Sequence, residues 1–156
     1  MTTDSSSVAP IAPIAPIAGL LPDELATIGP DAWSAPYWDA AREHRLVFAR
    51  CTGCAKFNFP AVPFCGDCLT QSIDWVESSG LATLYSFTIV RHGVTPDLLG
   101  SLPYVIAVVD INDSPGVRML TNVVDCNLEA LQIGDALKVY WHDTADGVTI
   151  PRFTLA

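Results

Sequence analysis

The sequence is short of charge, above all of positive charge. Only 16% of its 156 residues are charged, and 8 Lys and Arg stand against 17 Asp and Glu, a net charge of −9. So few cations argue against nucleic acid as a partner, because that affinity comes mostly from cations neutralising phosphates. An anionic membrane surface is disfavoured for the same reason. No Lys or Arg precedes Arg42, so the basic n-region of a secretory signal is missing. The nearest thing to a membrane span, Val8 to Leu21, is interrupted by Pro10, Pro13 and Pro16 and falls short of the ~20 residues a span needs. These absences predict a cytoplasmic protein with reduced thiols. Apolar residues are not scarce. They make up 50% of the chain, which excludes a wholly disordered polymer and leaves apolar surface of the kind that marks interfaces. The length suits one ordinary domain or two small ones.

The chain opens on a repeat, Ala9-Pro10-Ile11, Ala12-Pro13-Ile14, Ala15-Pro16-Ile17. Proline at every third position favours polyproline II and lines the isoleucines along one ridge. Residues 1–30 are therefore predicted to be a flexible arm outside the core, serving as a stiff spacer or as a docking arm.

The clearest chemical signal is a set of cysteines. Cys51-Thr-Gly-Cys54 and Cys65-Gly-Asp-Cys68 are separated by residues 55–64. A two-residue gap lets both sulfurs of a pair face one ion from a tight turn, and four soft thiolates suit a closed, structural zinc tetrahedron. Gly53 and Gly66 are expected to supply positive backbone torsions inside the two turns, and Lys56 to offset part of the thiolate charge. Two disulfides are disfavoured by the predicted compartment, a redox dithiol needs only one such pair, and an iron–sulfur or rubredoxin-like iron centre is a further use of four thiolates. The fifth cysteine, Cys126, reads as a small buried hydrophobe; its alternative is a nucleophile paired with His92 or His142.

The remaining pattern is a helix followed by strands. Residues 34–46 read as a helix with Ser34 as its cap and Pro36 in its first turn, carrying Trp33, Tyr37, Trp38 and Ala41 on one face. Short strands enter and leave the cysteine turns at Leu46 to Arg50 and Ser72 to Val76. From Gly80 onward five strands follow: Leu81 to His92 with a bend or bulge, Tyr104 to Ile111, Val117 to Val124, Ala136 to His142 and Val148 to Thr154. Asn127 to Gln132 is predicted to form one or two helical turns between the third and fourth. Five strands with that insert have the chain order of an OB-fold barrel; an SH3-like barrel fits the pattern as well. The predicted fold is thus mainly β: a helix at 31–46, a rubredoxin-like zinc ribbon at 47–78, and a five-stranded OB-fold barrel at 79–156.

In this order the chain resembles a family of small zinc-ribbon and OB-fold proteins associated with acyl-CoA metabolism. The resemblance is carried by Tyr37-Trp38, Leu46 to Arg50, the two Cys-x2-Cys pairs, Trp75, Ser79-Gly80, Tyr85-Ser86-Phe87-Thr88, Pro103-Tyr104, Ile133-Gly134 with Val139, and Pro151-x-Phe153. It covers about residues 33–156. It implies a non-catalytic accessory subunit in a hetero-oligomer with a thiolase-superfamily enzyme, or in some members with an acyl-CoA hydratase. The partner carries the nucleophilic cysteine and the catalytic histidines. Its reaction is Claisen-type acyl transfer or condensation, or retro-aldol cleavage, of CoA thioesters, including steroid side-chain intermediates. The small subunit would help form the CoA channel and hold zinc in a structural role. Many members carry two adjacent prolines and an arginine before the second cysteine pair; here Pro60-Ala61-Val62-Pro63 replaces that run, so any contact of that arginine with a CoA phosphate does not carry over.

Candidate contacts to CoA are Arg91 and His92 at a strand end, then Lys56 and Arg118, with Lys138 weaker; His142 reads as a surface residue. Two other function classes stand beside the accessory reading. One is a stand-alone acyl-CoA-binding protein or thioester enzyme using Cys126 or a histidine. The other is a nucleic-acid-binding module, with Tyr85, Phe87 and Tyr104 as a stacking platform.

Overall fold

A computed structural model describes residues 17–26 and 28–156. Helix α1 spans Ala35–Arg42. Its start is fixed by Asp31, whose Oδ1 accepts the backbone N–H groups of Trp33 at 3.0 Å and Ser34 at 2.7 Å, and the Ser34 hydroxyl at 2.7 Å. Ser34 takes the N-cap position, as predicted, but its backbone is already helical and its side chain makes no capping bond. The helix also stops short of residue 46, because His44 takes a left-handed φ of 57°. Tyr37, Ala40 and Ala41 face inward, and Trp33 stays exposed.

Three strands build the ribbon, in the order β2-β1-β3. They are β1 (Leu46–Cys51), β2 (Phe57–Asn58) and β3 (Ile73–Ser78). β1 and β3 run antiparallel, from Leu46 opposite Ser78 to Cys51 opposite Ile73. The remaining strands, β4 (Leu81–Val90), β5 (Tyr104–Ile111), β6 (Arg118–Val123), β7 (Ala136–Asp143) and β8 (Thr149–Leu155), close a barrel in the order β4-β5-β6-β8-β7. β6 and β8 pair in parallel at Val123 and Phe153, and β7 returns antiparallel to β4. This is the closed five-stranded arrangement of an OB-fold.

The predicted irregularity in β4 is a bulge between Leu84 and Ser86. It changes which residues face inward. Ala82 and Leu84 are fully buried, and beyond the bulge Phe87 and Ile89 pack against the core, while Leu81 and Tyr85 stay exposed. Strict alternation along the whole strand, which would put Tyr85 with Phe87, is broken because one extra residue flips the pleat. Residues 127–132 do not become a helix. They make a turn in which Ala130 and Leu131 donate to the Asn127 carbonyl, too short a run for helix nucleation to be repaid.

A single apolar cluster joins these parts. Tyr37 of α1 and Leu46 and Phe48 of β1 pack with Leu84, Val109, Met119, Leu137 and Phe153 of the barrel. Each fully buried side chain of this kind is worth about 1.5–3 kcal/mol, so the ribbon's base is anchored by the barrel's own core. The covalent joint is also clamped. Ser78 Oγ donates to Asp113 Oδ1 at 2.6 Å and the Ser79 N–H to Asp113 Oδ2 at 2.7 Å. Gly80 follows with a φ of +76°, and a Cβ there would lie 2.5 Å from Val139 Cγ1.

The described part of the N-terminal segment is docked on the barrel, contrary to the expectation for residues 1–30. The Ala18 carbonyl accepts the Asp125 N–H at 3.1 Å, Gly19 lies with Pro103 and Tyr104 around one cleft, and Asp23 bonds His142 on strand β7. Most of the Ala-Pro-Ile repeat lies outside the described residues.

Candidate metal centre

Each cysteine pair lies in a turn built the same way. The Cys51 N–H donates to the Lys56 carbonyl and the Ala55 N–H to the Cys51 carbonyl; in the second turn the Cys65 N–H donates to Thr70 and the Leu69 N–H to Cys65, at 2.8–2.9 Å throughout. The left-handed residue that each turn needs is Ala55 (φ 62°) and Leu69 (φ 62°), just after the second cysteine. Gly53 and Gly66 do not play the part predicted for them. Gly53 matters for space instead: a Cβ there would lie 2.5 Å from Thr70 Oγ1 and 3.4 Å from Cys68 Sγ. Gly66 has open space around it.

The two turns bring the four sulfurs within 4.8 Å of one another. Cys51 and Cys68 Sγ are 3.5 Å apart, as are Cys54 and Cys65. A zinc tetrahedron with Zn–S bonds of about 2.3 Å has sulfur–sulfur edges of about 3.8 Å, whereas a disulfide needs about 2.05 Å. The geometry therefore fits a metal and all five cysteines are free thiols. Cys51 and Cys65 are buried, Cys54 and Cys68 exposed. The Gly53 N–H points at Cys51 Sγ, 3.3 Å away. Thr70, through its hydroxyl and its backbone N–H, holds the Cys68 thiol down to about 6. The N–H groups of Asp67 and Cys68 lower Cys65 as well. At Cys54 the Lys56 N–H pulls down, but the sulfurs of Cys65 and Cys68 push harder and raise it to about 12. Four thiolates crowded together need a cation, and a divalent ion bound by all four keeps no position open for water or substrate. Lys56 pairs with Asp67 at 2.6 Å, so its charge is largely answered outside the cluster.

The predicted CoA-contact residues are not gathered in one place. Lys56 lies on the ribbon. Arg118 on β6 is held by Asp110 at 2.7 Å and lies 3.5 Å over the Tyr85 ring. Arg91, just beyond β4, makes a looser pair with exposed Glu129 at 3.4 Å. His92 follows it, also exposed.

Cys126, the thiol weighed as a nucleophile, is half-buried. Burial, with a smaller push from Asp125, raises the Cys126 thiol above its usual range, the opposite of an activated nucleophile. His142 is buried, not on the surface, and its Nε2 bonds Asp23 Oδ1 at 2.9 Å. His44 bonds Asp143 and stacks on Trp141. The proposed stacking platform does not form either, since Phe87 packs against the core and Tyr104 is buried. The residues that the sequence did not single out are Asp113, Asp23 and Thr70. Each acts on a partner 2, 34–35 or 119–122 positions away, and only the Cys-x-Thr spacing of Thr70 is visible locally.

Comparison with known proteins places this arrangement. Residues 38–74 match the ChsH2 rubredoxin-like zinc ribbon domain, and residues 75–142 match the ChsH2 C-terminal OB-fold domain. The chain belongs to the ChsH2 zinc-ribbon and OB-fold family. The structure of an Ltp2-ChsH2(DUF35) aldolase matches this ChsH2-type chain with a TM-score of 0.74 at 28% identity, covering 83% of this chain and 98% of that one. A probable enoyl-CoA hydratase alpha subunit of Thermomonospora curvata is 31% identical over 120 residues, which are 77% of this chain and 36% of the relative. A 3-oxo-4,17-pregnadiene-20-carboxyl-CoA hydratase alpha subunit of Mycobacterium tuberculosis is 30% identical over 135 residues, 81% of this chain and 40% of the relative. The chain thus spans little more than a third of the length of these hydratase subunits. Among the described residues no helix is long and apolar enough to cross a membrane.

Proposed function

We propose that this ChsH2-type chain is a non-catalytic accessory subunit of a thiolase-like enzyme that acts on CoA thioesters. The observation that carries the reading is its match to nearly the whole ChsH2(DUF35) chain of an aldolase described together with Ltp2. Retro-aldol cleavage is accordingly the favoured reaction of the partner, ahead of Claisen-type condensation or acyl transfer, and a steroid side-chain thioester is the favoured substrate class. The chain's own chemistry supports the division of labour. Its one cysteine outside the metal cluster has a raised, protonated thiol, and its two histidines that bond carboxylates are tied to Asp23 and Asp143.

The metal would hold the ribbon in shape and leave its outer face to the partner. Exposed Phe64 and Leu69 there sit beside the second cysteine turn, the composition of an interface core more than of a solvent face. Of the four candidate CoA contacts, Arg91 and His92 suit a phosphate best. Among the described residues Arg91 meets an exposed carboxylate at 3.4 Å, whereas Lys56 and Arg118 are held at 2.6 and 2.7 Å. The test is turnover: the zinc-loaded chain alone should neither cleave nor condense acyl-CoA thioesters, and should support cleavage once combined with its thiolase-like partner. Turnover by the isolated chain would overturn the reading.

A further inference from the structure

The docked N-terminal segment does more than lie on the barrel: it walls a cavity of about 490 Å³. One side is residues 17–22 of the segment. The other is the loop from Gly100 to Pro103, with Val105, Val123, Cys126 and Leu128. The size is that of a small-molecule site. None of the described residues that line it carries a charge. The Cys126 thiol there is half-buried and held protonated.

The wall is fixed by polar contacts on either side of the cavity. Ala18 bonds Asp125. Asp23 grips buried His142 through Oδ1 and the Ala145 N–H through Oδ2, each at 2.9 Å. A segment held this way forms, with the barrel, a half-open cleft whose lining is mostly apolar, the kind of concave surface that buries a small apolar ligand.

We infer that this cavity is a binding site for an uncharged hydrocarbon group, an aliphatic chain or ring system of up to about sixteen carbons. The phosphates of CoA have no counter-charge within it, so a thioester could enter only by its acyl end. The hydrocarbon therefore comes either from a free lipid-like molecule or from the acyl part of a thioester. The inference does not rest on the accessory reading, because the cavity belongs to the isolated chain.

The experiment uses the full-length, zinc-loaded chain and the uncharged fluorophore N-phenyl-1-naphthylamine. Saturable binding of one probe per chain is expected, with displacement by decanol. If decanoyl-CoA, below its micellar concentration, displaces the probe too, the acyl group is an accepted source; if only decanol does, the ligand is a free molecule. Bound decanol should also slow alkylation of Cys126 by iodoacetamide at least several-fold, read peptide by peptide in the mass spectrometer. The cavity-filling Leu128→Trp should weaken probe binding at least tenfold while zinc content stays at one per chain. Probe binding that does not saturate, or Cys126 alkylation unchanged by decanol in the wild-type chain, overturns the inference, and the second readout decides even if Leu128→Trp fails to fold. Probe binding in a chain that recruits no thiolase-like partner would separate this site from the accessory reading.

Discussion

Replacing Gly80 with alanine tests how the ribbon is joined to the barrel. The residue has a φ of +76°, and the new Cβ would meet Val139 Cγ1 at 2.5 Å and Val139 Cβ at 3.3 Å. The left-handed backbone costs an alanine about 1–2 kcal/mol. The contact cannot be relieved by swinging the end of a long side chain, because Val139 is β-branched and lies in the β7 ladder opposite Phe153; overpacking of this kind costs about 1–3 kcal/mol. The sum is about 2–5 kcal/mol, or a melting temperature lower by roughly 5–15 °C for a chain of this size. The assay is thermal unfolding by circular dichroism at equal zinc occupancy, for Gly80→Ala, Val139→Ala and the double variant. With the valine methyls gone, the double variant should lose about 1–3 kcal/mol less than the two single losses added together. The backbone part of the cost should remain. A Gly80→Ala chain that melts with the wild type, or a double variant whose losses simply add, would refute the close approach.

Three further outcomes are expected. Cys65→Ser should abolish stoichiometric zinc and expose the amides of β1 to β3 to exchange, because structural zinc contributes on the order of 10 kcal/mol to the folding of such modules; full zinc content with an unchanged melting temperature would contradict the site. Burial pushes the Asp113 carboxyl up, but the bonds from Ser78 and Ser79 outweigh it and leave it below 3.8; its stabilisation is therefore present above pH ~4 and lost as the pH falls through the lower folded value. Asp113→Asn should accordingly be less stable than wild type at pH 7 and show a shallower loss between pH 4 and 2, measured by melting temperature against pH. In the assembled complex, Arg91→Ala should raise KM for the CoA thioester several-fold and leave kcat nearly unchanged, as expected for uniform binding of a remote phosphate; an unchanged KM would remove Arg91 from the CoA site.

What the sequence made legible was whatever repeats or punctuates. The cysteine pairs announced the metal centre, and alternating apolar residues bounded by Gly, Pro and Asn announced the five barrel strands to within a residue or two. Local rules failed where tertiary contacts took over. Ser34 stands at the cap position, but its side chain leaves the first-turn N–H groups alone and donates instead to Asp31, three positions earlier. Glycine between the two cysteines of each turn suggests a left-handed torsion, yet the turns place that torsion on Ala55 and Leu69. His142 looked like a surface residue because nothing near it in sequence shows that Asp23, 119 positions away, closes over it. The alternation in β4 hid the bulge's consequence, since one extra residue moves Phe87 to the inner face and leaves Tyr85 outside under Arg118. The docked N-terminal segment was invisible for a related reason: its proline-rich composition reads as a spacer, and its anchors are a backbone carbonyl and a single carboxylate.

On the function proposed above, this chain works as one part of a larger enzyme. Affinity purification of the full-length chain from its native cells, with mass spectrometry of what accompanies it, tests that most directly. A thiolase-like protein in stoichiometric amount is expected, retained through gel filtration, with retro-aldol cleavage of a CoA thioester by the purified complex. A chain that elutes alone in repeated preparations, with zinc bound and the fold intact, would contradict it.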